Sequence, residues 1–220
     1  DTLVIPHDCY GGSYRLFTSL EKRGLLKLEV VDFTKSDSLT RILAIKPKLI
    51  WIETPSNPIL RLTDIKAVTD TAKQCGALVA ADNTFLSPAL QNPIKFGADI
   101  VVHSTTKYIN GHSDVVGGAV IAATAELGEE LAWWANNIGI TGAPFDSYLT
   151  LRGLRTLNVR LRQHQENALA IAQYLERSQF VAQVYYPGRE SHPQHALAKA
   201  QQLGFGAMVS FDIKGDINDA

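Results

Sequence analysis

Short runs of consecutive apolar residues recur along the chain: LVI near the start, KLIWIE over 48–53, ALVAAD over 77–82, DIVVHS over 99–104 and GAVIAA over 118–123. Continuous rather than alternating apolarity suits strands buried on both faces, which is the habit of a parallel sheet covered by helices. Between the second and third runs, LTDIKAVTDTAKQCG has the marks of a helix. Thr63 can cap it, Ile65, Val68 and Ala72 line one face, and Gly76 can close it. Strand, helix and strand in that order make a β-α-β crossover, so the chain to about residue 125 reads as an open α/β layer fold.

From Phe145 the pattern changes to a long helical region, FDSYLTLRGLRTLNVRLRQHQENALAIAQYLERS, with Gly153 as an interruption. Leu154, Leu157 and Leu161 form one apolar stripe, and Ala168, Ile171, Ala172 and Leu175 form another. A domain boundary is expected near residue 165, giving a large domain over 1–165 and the beginning of a small α+β domain over 166–220. In the second, QVYYPG and GAMVSFDI read as strands. The chain opens inside a strand-like run without an initiator methionine and stops just after another such run, so further sequence is expected on each side.

Composition narrows the partners. The 220 residues are 45% hydrophobic, and 21 basic residues against 22 acidic ones leave a net charge of −1. No basic block suggests a nucleic-acid footprint or a membrane anchor, and no apolar stretch approaches the roughly 18 residues that span a bilayer. Cys9 and Cys75 make neither a CxxC nor a metal-ligand spacing, which points to free thiols in a reducing compartment and hence to the cytoplasm.

In open α/β sheets, ligands gather beyond the carboxyl ends of the strands. Those ends here carry Asn57 in ETPSNP, Asp82 in VAADNTF, and Ser104, Thr106 and Lys107 in HSTTK. Taken singly each is ordinary: a strand-end Asp is most often a cap or turn former, and a strand-end Lys a surface residue. Together they match what pyridoxal phosphate requires. That cofactor needs a lysine amine for its aldehyde, an acid for its ring nitrogen and donors for its phosphate. Lys107, Asp82, and Ser104 with Thr106 supply these in turn, and Tyr10 in HDCYGG can cover the ring face.

The segments HDCYGGSYRLF, ETPSNP, ADNTFLSPALQNP and HSTTKYINGHSDVVGG resemble the Cys/Met-metabolism family of pyridoxal-phosphate enzymes. LAWWANNIGITGAPFDSYLTLRGLRTL is most similar to the cystathionine γ-synthase branch of that family. The resemblance covers essentially the whole chain. It implies the fold of type I pyridoxal-phosphate transferases, aspartate-aminotransferase-like, with a mostly parallel sheet flanked by helices. It makes Lys107 the lysine bonded to the cofactor, Asp82 the partner of the pyridine nitrogen, and Tyr10 both the stacking residue and a helper in proton transfer. Ser104 and Thr106 become phosphate ligands, and Asn57 a neighbour of the phenolic oxygen and of substrate. Arg15 resembles an arginine that meets a substrate carboxylate, although a solvated loop arginine fits the same position.

The resemblance further implies a homotetramer built from dimers that share active sites. It also implies a glycine-rich phosphate loop, a Tyr and an Arg lent by a neighbouring subunit, and a C-terminal arginine for the substrate α-carboxylate, none of which has a counterpart here. The reaction implied is γ-replacement in methionine biosynthesis by transsulfuration: O-succinylhomoserine and L-cysteine give cystathionine and succinate. A cystathionine lyase, a methionine γ-lyase or an O-acylhomoserine sulfhydrylase would need the same Lys107 and Asp82. A cofactor-binding or assembly fragment without turnover is the reading from a different class. His103, beside the Ser/Thr pair, is expected to be buried rather than catalytic, and His192 and His195 to bind no metal. Cys9 and Trp51 read as packing residues, and Trp133 and Trp134 as core or subunit contact.

Overall fold

The computed structural model describes residues 1–215, so the last five residues of the expected second domain lie outside the described residues. The chain alternates strand and helix at first: β1 (Thr2–Pro6), α1 (Gly11–Lys22), β2 (Lys27–Val31), α2 (Ser38–Ile45), β3 (Leu49–Glu53), α3 (Ile65–Cys75), β4 (Leu78–Asp82) and α4 (Ser87–Leu90). A 3-10 turn at Pro93–Phe96 leads to β5 (Ile100–Ser104) and β6 (Gly118–Ala122). Three helices follow, α5 (Ala125–Ile138), α6 (Pro144–Leu154) and α7 (Leu157–Leu175), then β7 (Val181–Tyr185), α8 (His195–Gln201) and β8 (Ser210–Ile213). The first six strands form one sheet in the order β2-β1-β3-β4-β5-β6, parallel except for β6, and β7 and β8 form an antiparallel pair.

All five apolar runs become strands, and the reason is visible in the main core. Val4, Ile50, Ile52, Val79 and Ala81 from the centre of the sheet pack against Ile42 of α2 and Ile65, Val68 and Ala72 of α3. Trp51, on the opposite face, meets Phe17 of α1 edge-on with ring centroids 5.6 Å apart. Its burial is partial, because its indole edge faces a polar partner described below. α3 closes as expected at Gly76, which takes φ 69°, a left-handed conformation that glycine adopts at little cost. Its cap, however, is Asp64, which accepts the N–H of Ala67 at 2.9 Å, and not Thr63. The Thr63 backbone is instead tied to Thr54, its N–H donating to Thr54 Oγ1 at 3.1 Å.

Two strands depart from the sequence pattern. β2 interrupts its apolar residues with Lys27 and Glu29, because it is a half-exposed edge that pairs only with β1. β6 has the continuous apolarity of a buried parallel strand but runs antiparallel, with Val120 and Ile121 exposed. The loop from Ser104 to Gly118 contains no crossover helix, so the chain re-enters the sheet at the edge it has just left.

The long helical region divides into α6 and α7 around Arg155 and Thr156. α7 is continuous across residue 165. Leu157 and Leu161 bury against Leu86 and Leu90, while Ala168 and Ala172 bury against Tyr186 in a separate cluster. Leu154 and Ile171, expected on the buried stripes, are 40% and 53% exposed. Among the described residues no helix is long and apolar enough to cross a membrane.

Gly153 lies within α6 and is needed for proximity. A Cβ there would stand 2.2 Å from Asn110 O and 2.8 Å from Ile109 O, both backbone atoms just after Lys107. Gly153→Ala must therefore push α6 away from that loop. We expect a loss of about 1–3 kcal/mol of stability, read as a lower midpoint in thermal denaturation, whereas Gly139→Ala, with open space around its Cβ, should show only the smaller strain of its positive φ.

Candidate active site

Because β1, β3, β4 and β5 run parallel, their carboxyl ends open on one edge of the sheet. Tyr10 follows β1, Asn57 follows β3, Asp82 ends β4, and Ser104, Thr106 and Lys107 end or follow β5. Every residue singled out at a strand end thus comes to the same edge. Register refines the placement: Glu53 pairs with Asp82, and Asp82 with Val102. Side chains alternate along a strand, so Glu53, Asp82 and Ser104 share one face.

Asp82 is half-buried and oriented by its neighbour Thr84. Its Oδ1 accepts the Thr84 N–H at 2.9 Å and the Thr84 hydroxyl at 2.5 Å. Thr84 Oγ1 in turn accepts the N–H of Ser104 at 2.9 Å, which fastens the ends of β4 and β5 together. Among the described residues nothing donates to Asp82 Oδ2. Lys107 sits in the turn after β5, where its N–H donates to Ser104 O at 3.2 Å and its carbonyl accepts from Gly111 at 2.8 Å. Its side chain is exposed and makes no ion pair among the described residues.

The two hydroxyls expected at the phosphate differ. Ser104 Oγ makes no hydrogen bond among the described residues. The Thr106 hydroxyl donates to Gly117 O at 3.2 Å and accepts the Gly117 N–H at 3.0 Å. A hydroxyl has one proton, so in this arrangement Thr106 ties the lysine turn to the approach of β6. Tyr10 stands at the N-cap of α1, 56% exposed, with its ring over Gly12. A Cβ at Gly12 would lie 2.4 Å from Tyr10 Cε1. Arg15 is exposed on α1, one turn on from Gly11, and Asn57 is exposed in the loop after β3.

Several supports were not singled out from the sequence. Glu53 is 5% exposed, and its Oε2 accepts the Tyr10 N–H at 2.7 Å while its Oε1 accepts the Trp51 indole N–H at 3.0 Å. Burial pushes its carboxyl up to about 7, with Asp82 and Asp8 adding to the rise. Glu53 carried the same signal as Asp82, a charged residue at the end of a buried strand. Arg160 of α7 holds the far side of the lysine turn, donating to Tyr108 O at 2.9 Å and to Gly153 O at 2.9 Å. Nothing local in the sequence points from residue 160 to residue 108.

The remaining groups fall outside the site. His103 is 3% exposed on the opposite face of the sheet, where it lines a cleft of about 340 Å³ with Gln91, Thr105, Thr150 and Leu154. Burial lowers its pKa and keeps the ring neutral. Burial pushes the Cys9 thiol up to about 12, which keeps it protonated and unreactive. His192 Nδ1 accepts the N–H of Gln194, and His195 bonds to Pro187 O and stacks on Phe205. Trp133 and Trp134 are 57% and 51% exposed and meet each other edge-on.

An exposed amine, a carboxylate with one oxygen uncommitted, a hydroxyl and an open aromatic face on one sheet edge are the groups that pyridoxal phosphate requires. The residues present fit that cofactor, with Thr106 the one whose hydroxyl already has a protein partner.

Comparison with known proteins agrees. The family described as Cys/Met metabolism PLP-dependent enzyme matches residues 1–220. The chain is 56% identical over 216 residues to cystathionine γ-synthase of Escherichia coli (strain K12), which covers 98% of the chain and 56% of that protein. It is 47% identical over 221 residues to cystathionine β-lyase of Coxiella burnetii, covering 100% of the chain and 57% of that protein. The crystal structure of cystathionine γ-synthase from Xanthomonas oryzae pv. oryzae, in complex with aminoacrylate and cysteine, superposes with a TM-score of 0.97 at 62% identity, over 99% of this chain and 56% of that one. The chain therefore spans a little over half the length of the relatives it matches. With a family match along its whole length and relatives 47–56% identical, the chain belongs to the Cys/Met metabolism family of pyridoxal-phosphate-dependent enzymes.

Proposed function

We propose that the enzyme carrying this chain catalyses γ-replacement, joining O-succinylhomoserine and L-cysteine into cystathionine with release of succinate. The observation that carries the reading is the convergence of Lys107, Asp82, Ser104 and Tyr10 on one edge of the sheet, in a chain 56% identical to a cystathionine γ-synthase. The Xanthomonas oryzae relative, solved with cysteine, supports cysteine as the second substrate. In the net reaction the Cγ–O bond breaks and a Cγ–S bond forms, and the thiol proton is given up as the succinate carboxylate departs.

The bound cofactor supplies an electron sink for the pair left when the substrate Cα loses its proton. The chain's own residues do the rest. Asp82, oriented by Thr84, presents Oδ2 to hold a proton on the ring nitrogen. Lys107 Nζ, free of ion pairs among the described residues, takes the Cα proton and moves protons among neighbouring substrate carbons. Tyr10 covers the ring and excludes water from that face. Ser104 holds the phosphate, with Thr106 completing it once its hydroxyl turns from Gly117. Asn57 and Arg15 are assigned to substrate, Arg15 to the succinyl carboxylate.

Residues 1–165 are assigned to the large cofactor-binding domain and 166–220 to the beginning of the small domain, with α7 spanning the two. The complete enzyme is proposed to be a cytoplasmic homotetramer of dimers that share active sites. A lyase reading of the same site rests on the 47% identity to a cystathionine β-lyase.

Lys107→Ala in the full-length enzyme should abolish turnover and the visible absorbance of the bound cofactor while leaving far-ultraviolet circular dichroism unchanged. Asp82→Asn should lower kcat/KM on the order of 10²-fold or more, since an amide cannot hold the ring proton by charge. A variant within threefold of wild type would return Asp82 to a capping role.

Product analysis at saturating cysteine decides between replacement and elimination. Cystathionine should dominate, with 2-oxobutyrate and ammonia formed slowly when cysteine is withheld. Arg15→Ala should raise KM for O-succinylhomoserine more than for an uncharged acyl analogue. If 2-oxobutyrate remains the main product with cysteine present, the enzyme is a lyase. Light scattering should give the mass of four subunits, and an active monomer would contradict the shared-site assembly.

A further inference from the structure

Glu53 is the most buried carboxylate near the candidate site and has no part in the proposed chemistry. A carboxylate removed from water is retained only where its hydrogen bonds compensate, so its two partners carry the interest. One is Trp51 on its own strand, whose indole N–H donates to Oε1 at 3.0 Å. The other is the main-chain N–H of Tyr10, 43 residues away in sequence, which donates to Oε2 at 2.7 Å. Tyr10 is the N-cap of α1, and its own side chain makes no capping hydrogen bond. Its carbonyl accepts the Tyr14 N–H at 3.0 Å within the helix, while its own N–H is held from β3. Its ring occupies the space over Gly12, where a Cβ would lie 2.4 Å from Cε1 and 3.1 Å from Cδ1.

We infer that Glu53 is the positioning residue for Tyr10: its carboxylate clamps the Tyr10 backbone at the head of α1 so that the ring, seated over Gly12, lies where it covers the cofactor. This rests on the reading of Tyr10 as the stacking residue. Clamp and seat are independent devices with one purpose. Disturbing either should move the ring in the same way.

The clamp works best when ionised, because both oxygens then accept and a charged acceptor makes the stronger hydrogen bonds. A protonated carboxyl must turn one oxygen into a donor, and both oxygens already face N–H groups. Its surroundings oppose ionisation. Asp82 faces it from β4 and Asp8 from the loop before α1, both raising its pKa, and Cys9 in that loop is held neutral. The cations of that loop region are engaged elsewhere: Arg61 lies 3.7 Å from Asp8, and His7 lies beside Asp8 and Asp32. With a folded value of about 7 against an ordinary 4.5, the folded protein keeps a proton that the unfolded chain has lost between those values. The fold therefore has its full stability with Glu53 protonated, below about pH 4.5, and loses part of it as pH rises through about 7 and the buried carboxyl ionises, a desolvation cost that the two N–H donors offset only in part. Glu53→Gln removes that loss. A bound ring cation beside Asp82 would offset one of the charges that oppose ionisation of Glu53, favouring the ionised clamp.

The test uses the full-length enzyme and its cofactor dissociation constant, measured by fluorescence titration, together with the visible circular dichroism of the bound cofactor. Glu53→Gln keeps size and one acceptor but sets an amide donor against an N–H, and should weaken cofactor binding about tenfold, the worth of one such hydrogen bond. The visible dichroism should fall while the far-ultraviolet spectrum is unchanged. Gly12→Ala should do the same by displacing the ring from its seat. The effect of Glu53→Gln should vanish in a Tyr10→Ala background and flatten the pH dependence of apoenzyme melting between about pH 4.5 and 7. If Tyr10→Ala weakens cofactor binding but Glu53→Gln adds its full effect on top, the clamp is overturned while the stacking role stands. If Tyr10→Ala leaves binding unchanged, the stacking role itself fails and the clamp has nothing to position.

Discussion

Parallel pairing of β1, β3, β4 and β5 is the constraint on which the site depends. Parallel strands all end on the same edge, so side chains from four separated stretches of sequence become neighbours without any direct attraction between them. The apolar packing of the sheet against α2 and α3 supplies the free energy, and the polar residues at the strand ends are carried along. The groups at that edge therefore need not stabilise the fold. Lys107 is exposed and Asp82 keeps an uncommitted oxygen because the core holds the strands regardless of them.

Around this edge a set of short polar contacts converts neighbours into a fixed arrangement. Thr84 joins Asp82 to the backbone of Ser104, Glu53 reaches the backbone of Tyr10, and Thr106 ties the lysine turn to Gly117. Arg160 and the absent side chain of Gly153 do the same from the helical side, one by hydrogen bonds to the turn after Lys107 and the other by allowing α6 to approach it. Residues that would touch a cofactor are thus held by residues that would not. The acidic cluster of Asp8, Glu53 and Asp82 has a further consequence, since each additional negative charge makes Glu53 harder to ionise and the site more receptive to a ring cation.

The layer fold and the cofactor class were legible for the same reason. Strands buried on both faces must be apolar throughout, so charged residues at or just beyond the end of such a run stand out, as Asp82 and Lys107 do. Glu53 gives the same signal, yet its role is clear only from the Tyr10 amide that reaches it. Where the pattern misled, geometry had intervened. β6 is as apolar as a central strand but lies at an edge, and β2 is a true strand whose Lys27 and Glu29 break the run. Asp64 rather than Thr63 caps α3 because the preceding backbone is held to Thr54.

What the sequence determined by itself is what depends on local composition: which stretches are strands or helices, where Gly76 ends α3, and which polar groups stand at strand ends. The long ordered motifs were also enough to identify the family. Tertiary structure alone decided direction, register and contact. It set β6 antiparallel, placed Asp82 opposite Glu53, seated the Tyr10 ring over Gly12 and brought Arg160 to Tyr108 across 52 residues. Those relations join residues distant in the chain, and apolar periodicity, which reports only whether a position faces the core, contains no information about which distant group it will meet.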